Sequence, residues 1–237
     1  MKHLVSLVGL IAFLMVVLPG PLYKFNIVEL GTAFAGFRLG VYVGGAALAL
    51  LLVQVLFMRK TVSLASALIT VIFAAVAIAM PLNMMNTAKS VPPIHDISTD
   101  LINPPEFVAV VPLRADAPNP VAYAGEETAA QQRKAYPELK SLEYNQTQLE
   151  LVAATTKAME NLGWELVNSD VNNGIVEATD TTTWFGFKDD VVVRINDKGS
   201  KRVVDIRSKS RIGKSDLGKN AQRIKTLIDE LNAVVVQ

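Results

Sequence analysis

The chain has no cysteine at all, so disulfides, thiolate nucleophiles and cysteine metal sites are excluded, while the compartment stays undecided. Histidine is nearly as scarce. His3 and His95 are the only two, which rules out a multi-histidine zinc site within one chain and leaves His95 alone for any Ser-His-Asp arrangement. Charge is almost missing from the first 90 residues. Only Lys2, Lys24, Arg38, Arg59, Lys60 and Lys89 are basic there, and only Glu29 is acidic, so residues 91–237 carry 17 basic and 21 acidic groups. Proline is missing after Pro137, with nine of the eleven prolines falling between Pro81 and Pro137. Together these gaps exclude a disordered tail, a disulfide-stapled miniprotein and a wholly soluble enzyme, and they divide the chain into 1–81, 82–137 and 138–237.

What fills the first region is apolar. A membrane-crossing helix needs about 20 mostly apolar residues. Leu4 to Leu22, Phe37 to Phe57 and Val62 to Met80 meet that length, the first ended by Pro19-Gly20-Pro21 and the third by Pro81. Lys2 before the first run also fits a cleaved leader, and Ala33-Phe34-Ala35 has the small-residue spacing of a cleavage site. That site lies well past the apolar run, so an uncleaved three-span bundle anchored by Lys2 is expected. Arg59-Lys60 in the tight second loop favours an inside start. Three crossings then place everything after residue 90 outside the cytoplasm. Gly36, Gly40 and Gly44 give the second helix a small-xxx-small stripe, matched by Ser66, Thr70 and Ala74 on the third. The stripe serves either packing within the bundle or a helix-mediated oligomer. No Asp, Glu, Lys or His lies deep in a span, which argues against a transporter.

The proline-rich stretch 82–137 reads as an extended arm, with one strand at Phe107–Val111 and a surface excursion over 115–135. After Thr147, Leu149, Val152, Ala153, Thr156, Met159 and Leu162 recur at helical spacing. Strands are expected at 164–168, 174–184, 189–196 and 202–210, with turns at Asn172-Asn173-Gly174 and Asp197-Lys198-Gly199. Val191, Val193 and Ile195 alternate with Val192, Arg194 and Asn196, the pattern of an antiparallel meander with one wet face. Leu217, Ala221, Ile224, Leu227, Ile228 and Leu231 form the stripe of a last helix, with Ser215 or Asp216 as N-cap. The fold class is therefore a three-span α-helical membrane bundle plus an α+β domain, an antiparallel four-stranded sheet with two helices on one face.

Two clusters invite a chemical reading. Between Arg194 and Lys225 stand eleven basic residues against three acidic ones. Arg207, Arg211, Lys214 and Arg223, with Asp216 and Asn220 holding the loop, would bind an anion such as a phosphate, a lipid headgroup or an acidic polymer. The alternative is that the arginines pair with the domain's own carboxylates. Gly213-Lys214-Ser215 has the ending of a phosphate-binding loop, but Ser208 stands where the first glycine is required. His95 with Asp96 and Asp100 would supply an acid–base pair, or else the carboxylates cap turns. Trp184-Phe185-Gly186-Phe187 would wall a pocket or serve as core and membrane-interface contacts. The basic stretch has few aromatics and its domain is acidic, so no nucleic acid is expected.

Ile94-His95-Asp96-Ile97-Ser98-Thr99-Asp100 with Pro104-Pro105, the run from Trp184 through Arg194, and Asp205-Ile206-Arg207-Ser208 through Asn220 with Arg223-Ile224 resemble the domain-of-unknown-function 1499 family of bacterial and plastid proteins. The resemblance spans about residues 90–235 and implies neither a reaction nor a cofactor. Its members often carry N-terminal membrane or export segments.

The expected protein is thus a multi-pass protein of a bacterial inner (plasma) membrane with a periplasmic binding or accessory module. Its partners would be membrane lipids and an anionic ligand or envelope protein, with no cofactor or metal. The alternative is a membrane-tethered hydrolase or transferase with His95 as base, oriented by Asp96 or Asp100.

Overall fold

A computed structural model describes residues 3–236, so the Lys2 anchor and residue 237 lie outside the described residues. The chain falls into two units: residues up to Lys89 together with Thr183–Gly186, and residues 90–182 with 187–237.

The first unit is helical. Helix α1 (Leu4–Val17) is followed by a six-residue α2 (Pro19–Lys24), then by α3 (Leu30–Phe57) and α4 (Leu64–Ser90), with a 3-10 turn at Arg59–Thr61 before α4. Two proline stop signals act otherwise than expected. Pro19-Gly20-Pro21 does not stop the helical path: Leu18 stays right-handed (φ −76°, ψ −28°) and Pro19 opens α2, a position where no amide N–H is needed. Pro81 lies inside α4, which runs nine residues past it to Ser90. Helices α3 and α4, with mean hydropathies of 2.2 and 2.3, are long and apolar enough to cross a membrane. With 14 residues, α1 is too short alone, so two of the three expected spans meet the test as single helices.

The glycine stripe of α3 is used inside this unit. A Cβ on Gly36 would stand 3.2 Å from the Met15 carbonyl and from Pro19, and one on Gly40 would stand 2.6 Å from Val16. Gly44 faces Ala77 and Ile78 of α4 in the same way. Small residues let these helices approach to van der Waals contact, and Thr70 returns its hydroxyl to the Ser66 carbonyl at 2.8 Å.

The second unit is an α+β domain: β1 (Asp96–Ser98), α5 (Glu126–Ala135), β2 (Leu142–Tyr144), α6 (Gln148–Asn161), β3 (Glu165–Asp170), β4 (Ile175–Thr181), β5 (Lys188–Asp197), β6 (Arg202–Ser210) and α7 (Lys219–Val236). The expected meander is present as β3–β4–β5–β6, all antiparallel. The sheet has six strands rather than four. β2 pairs with the first half of β6 and β1 with the second, so two three-residue strands line an edge that would otherwise be open.

One face of the sheet carries the apolar core. Val176, Ala178, Val191, Val193, Ile195, Val204 and Ile206 meet Leu151, Val152 and Met159 of α6 and Ile224, Leu227 and Leu231 of α7. A capping box between Thr147 and Glu150 starts α6. The opposite face is not wet. Glu177, Asp190, Asp205, Arg207 and Lys209 are all at most 2% exposed, because the proline-rich segment folds over them instead of running extended. Phe107–Val111 forms turns and no strand; Phe107 and Val110 pack on Val192. The 115–135 excursion contains helix α5.

A candidate site of buried ion pairs

Alternation along a strand sends Asp205, Arg207 and Lys209 of β6 to one face and Ser208 and Ser210 to the other. The register sets Asp96 of β1 opposite Lys209 on one side, and Asp190 of β5 opposite Lys209 on the other. Two carboxylates and four cations therefore meet under the arm.

Asp96 is the first centre. Its Oδ1 accepts Arg207 Nε at 2.8 Å, and its Oδ2 accepts Arg207 Nη2 at 2.9 Å, Lys209 Nζ at 2.8 Å and the Ala124 amide at 3.3 Å. Arg207 also donates to the Pro105 and Val121 carbonyls at 3.1 and 3.0 Å, and its guanidinium lies 4.8 Å from the Phe107 ring centre and 5.3 Å from that of Tyr123. Lys209 reaches the Ala122 carbonyl at 2.6 Å. Burial pulls the Lys209 ammonium below its ordinary range, with Asp96 opposing that shift. Burial pushes the Tyr123 phenol up to about 12, helped by the charge of Asp96.

Asp190 is the second centre. It accepts Arg211 Nε and Nη2 at 2.9 and 2.7 Å, the Thr179 hydroxyl at 2.7 Å, and Arg114 Nη1. Burial works to raise this carboxyl, but the hydrogen bonds from Arg211 and Thr179 and the charges of Arg211 and Arg114 outweigh it and hold it below the usual range. Arg114 spans the gap to β6 through the Lys209 and Ser210 carbonyls at 3.3 and 3.1 Å. A third carboxylate, Glu177 of β4, is fully buried and accepts the Val108 and Ala109 amides at 2.8 and 2.7 Å, which pins the arm's turn to the sheet.

The residues expected to form one anion loop are divided by the sheet. Arg207 and Arg211 lie on the arm side. Arg223 and Asn220 lie on the α7 side, where Arg223 donates to Asp180 at 2.8 Å, Asp189 at 2.7 Å and the Asn220 carboxamide oxygen at 2.6 Å. Asn220 is tied to Ser208 at 2.6 Å and to the His95 carbonyl at 3.0 Å. Helix α7 begins at Lys219 rather than 215, and Asp216 caps it, accepting the Gly218 and Asn220 amides at 2.8 and 2.7 Å. The protein's own carboxylate thus takes the place an anion would occupy at that helix start, and burial raises its carboxyl. Lys214 is exposed and makes no ion pair among the described residues.

His95, Asp96 and Asp100 do not form an acid–base pair in this geometry. Both Asp96 oxygens face cations, and Asp100 accepts the Ile102 and Asn103 amides at 2.9 and 3.0 Å and Arg194 at 3.0 Å, a turn cap and ion pair. The His95 ring is half-buried, and its Nδ1 has no hydrogen-bond partner among the described residues. Burial and the Lys209 charge pull the ring below the ordinary histidine range, against Asp96. No group of three or more acidic or histidine side chains is placed to hold a metal ion among the described residues.

Lys209, Arg114, Asp190 and Glu177 belong to this site but do not stand out in the sequence. Each has a partner at least 67 residues away, as in Glu177 with Val110, Arg114 with Asp190 and Lys209 with Asp96, and only Lys209 sits inside the basic run. One protein-family model, described as protein of unknown function (DUF1499), matches residues 96–231, more than half of the chain. The chain belongs to this family. The DUF1499 span opens on Asp96 and takes in Arg114, Glu177, Asp190, Arg207, Lys209 and Arg211, so the whole buried ion layer falls inside the matched region. No curated protein matches the chain.

Proposed function

We propose that this DUF1499 protein is a multi-pass protein of a bacterial inner membrane whose α+β domain is an accessory module for an envelope partner on the periplasmic side. One observation carries the reading: α3 and α4 turn their large apolar side chains outward. Leu39, Leu52, Leu56, Leu68 and Ile72 are each more than half exposed, and only 28% of each helix's most apolar window is buried. In a soluble protein such helices would face inward; in hydrocarbon the outward face is the solvated one. The first crossing is formed by α1 and α2 in series. Their helical path from Leu4 to Lys24 is about 32 Å at 1.5 Å per residue, against roughly 30 Å of hydrocarbon. With an inside start, three crossings put the domain outside.

The buried pairing favours an accessory module over a pocket enzyme or a phosphate binder. Arg207, Arg211 and Arg223 are largely buried in ion pairs with Asp96, Asp190, Asp180 and Asp189, so an anionic ligand would meet chiefly surface lysines such as Lys214. Such contacts are diffuse and fade with salt. Alkaline carbonate extraction, combined with a reporter fused after residue 237, tests the reading. Retention in the pellet with a reporter active only outside the cytoplasm is the expected result. A carbonate-soluble protein, or a reporter active only inside, ends it.

A further inference from the structure

The break between α1 and α2 leaves a specific chemical debt. In a continuous helix the Val17 carbonyl would accept the amide of the residue four positions on, but that residue is Pro21, which has no N–H. The flanking bonds persist: the Leu18 amide reaches the Leu14 carbonyl at 3.0 Å, and the Leu22 amide reaches the Leu18 carbonyl at 2.9 Å. The missing donor is supplied by Trp184, whose Nε1 donates to the Val17 carbonyl at 3.1 Å.

The surroundings are shaped for this ring. A Cβ on Gly20 would fall 2.6–2.8 Å from Nε1, Cδ1 and Cε2 of Trp184, so the position between the two prolines admits no side chain. Phe37 of α3 meets the indole edge-on at 5.5 Å, and Phe185 lies at 5.0 Å. Phe185 in turn stacks on Phe34 at 5.9 Å and Phe37 at 6.0 Å. Lys24 closes the rim by donating to the Thr183 carbonyl at 3.0 Å.

We propose that Pro19-Gly20-Pro21 is a built receptor site for one aromatic side chain, that Trp184 is its occupant, and that the indole N–H replaces the backbone donor which Pro21 deletes. The two prolines open the helix, Gly20 clears the space, and the phenylalanines hold the ring in register. Trp184 acts as a positioning residue for the first helical segment, and this holds whether or not that segment crosses a membrane.

A double-mutant cycle in the full chain, purified in detergent, tests the assignment. W184F keeps a ring but loses the donor, whereas P21A gives Val17 a backbone donor of its own. The expected result is that W184F lowers the thermal midpoint clearly in the native chain and by less than half as much on the P21A background. Equal losses on both backgrounds would overturn the proposal. Fluorescence supplies an arm that does not depend on P21A folding. With W164F, Trp184 is the only tryptophan, and its emission should be blue-shifted and resistant to iodide. Adding G20V should shift it to the red and open it to quenching. Iodide access equal to that of free indole without G20V sinks the assignment.

Discussion

Arg207 shows how much one side chain is asked to do beneath the arm. It binds both oxygens of Asp96, two carbonyls of the covering segment and the faces of two aromatic rings, while only 2% exposed. A lysine cannot reproduce a planar fork, so R207K is not a conservative change at this position. Leaving Asp96 partly unpaired in a buried layer costs about 3–5 kcal/mol when the partner is removed outright. R207A should therefore destabilise the domain by about that much, and R207K by a substantial part of it, read as a fall in the denaturant midpoint of the full chain. The His95 ring carries a pH prediction. Its folded pKa lies below the ordinary 6.5, because burial and then the Lys209 charge oppose protonation. Between 6.5 and that lowered value the unfolded chain takes up a proton that the folded chain refuses, so stability falls as pH drops through this window. H95Q should remove this contribution, so its thermal midpoint should fall less than that of the native chain as pH drops below 6.5. Asp216 has the opposite sign: its raised carboxyl favours the fold at low pH and loses that contribution as pH climbs from 3.8 through its folded value.

At the scale of elements, Glu177 couples a strand to the arm. Its carboxylate receives the Val108 and Ala109 amides, with Val110 at 3.5 Å, and Asn168 nearby on β3. E177A would leave buried donors without an acceptor, at about 1–3 kcal/mol for each group left unsatisfied. Hydrogen exchange over residues 104–115 should accelerate well beyond any change in α6 and α7; uniform acceleration across the domain would instead mean global destabilisation. The same segment marks where sequence reasoning stops. The meander, α6 and α7 were legible because Val191, Val193, Ile195, Leu227 and Leu231 repeat with the period of their elements. The arm was not, because Pro104, Pro105 and Pro112 argue against regular structure without saying what the chain lies upon. Asp205, Arg207 and Lys209 alternate as solvent-facing residues do, and only Asp96, more than a hundred positions from Arg207 and Lys209, reveals that those two are covered. β1 and β2, at three residues each, are too short to show a period. In the basic run, Arg207, Arg211 and Arg223 read as one anion-binding loop, but pairing across the sheet puts Arg207 and Arg211 on one face and Arg223 on the other.

On the scale of the whole molecule, the apolar core of the α+β domain is self-contained. Every residue of that core, from Ile94 to Leu231, comes from the second unit, as do both centres of the ion layer. A core of this size, with α6 and α7 covering one sheet face and the arm the other, needs nothing from the helices to exclude water. Residues 90–237 expressed alone should therefore unfold in one cooperative transition, and loss of that transition would show that the division into two units misplaces part of the core. Trp184 and Phe185 are the exception, because their packing partners Val17, Tyr23, Phe34 and Phe37 all lie in the helical unit. In the isolated domain those rings lose their surroundings and become an exposed apolar tip on the β4–β5 hairpin. With W164F, the fragment's emission should match water-exposed indole and shift to the blue on adding detergent micelles, while its thermal midpoint hardly moves. If instead the indole is already shielded in the fragment without detergent, the hairpin tip has packing of its own within the domain and its grouping with the helices is secondary.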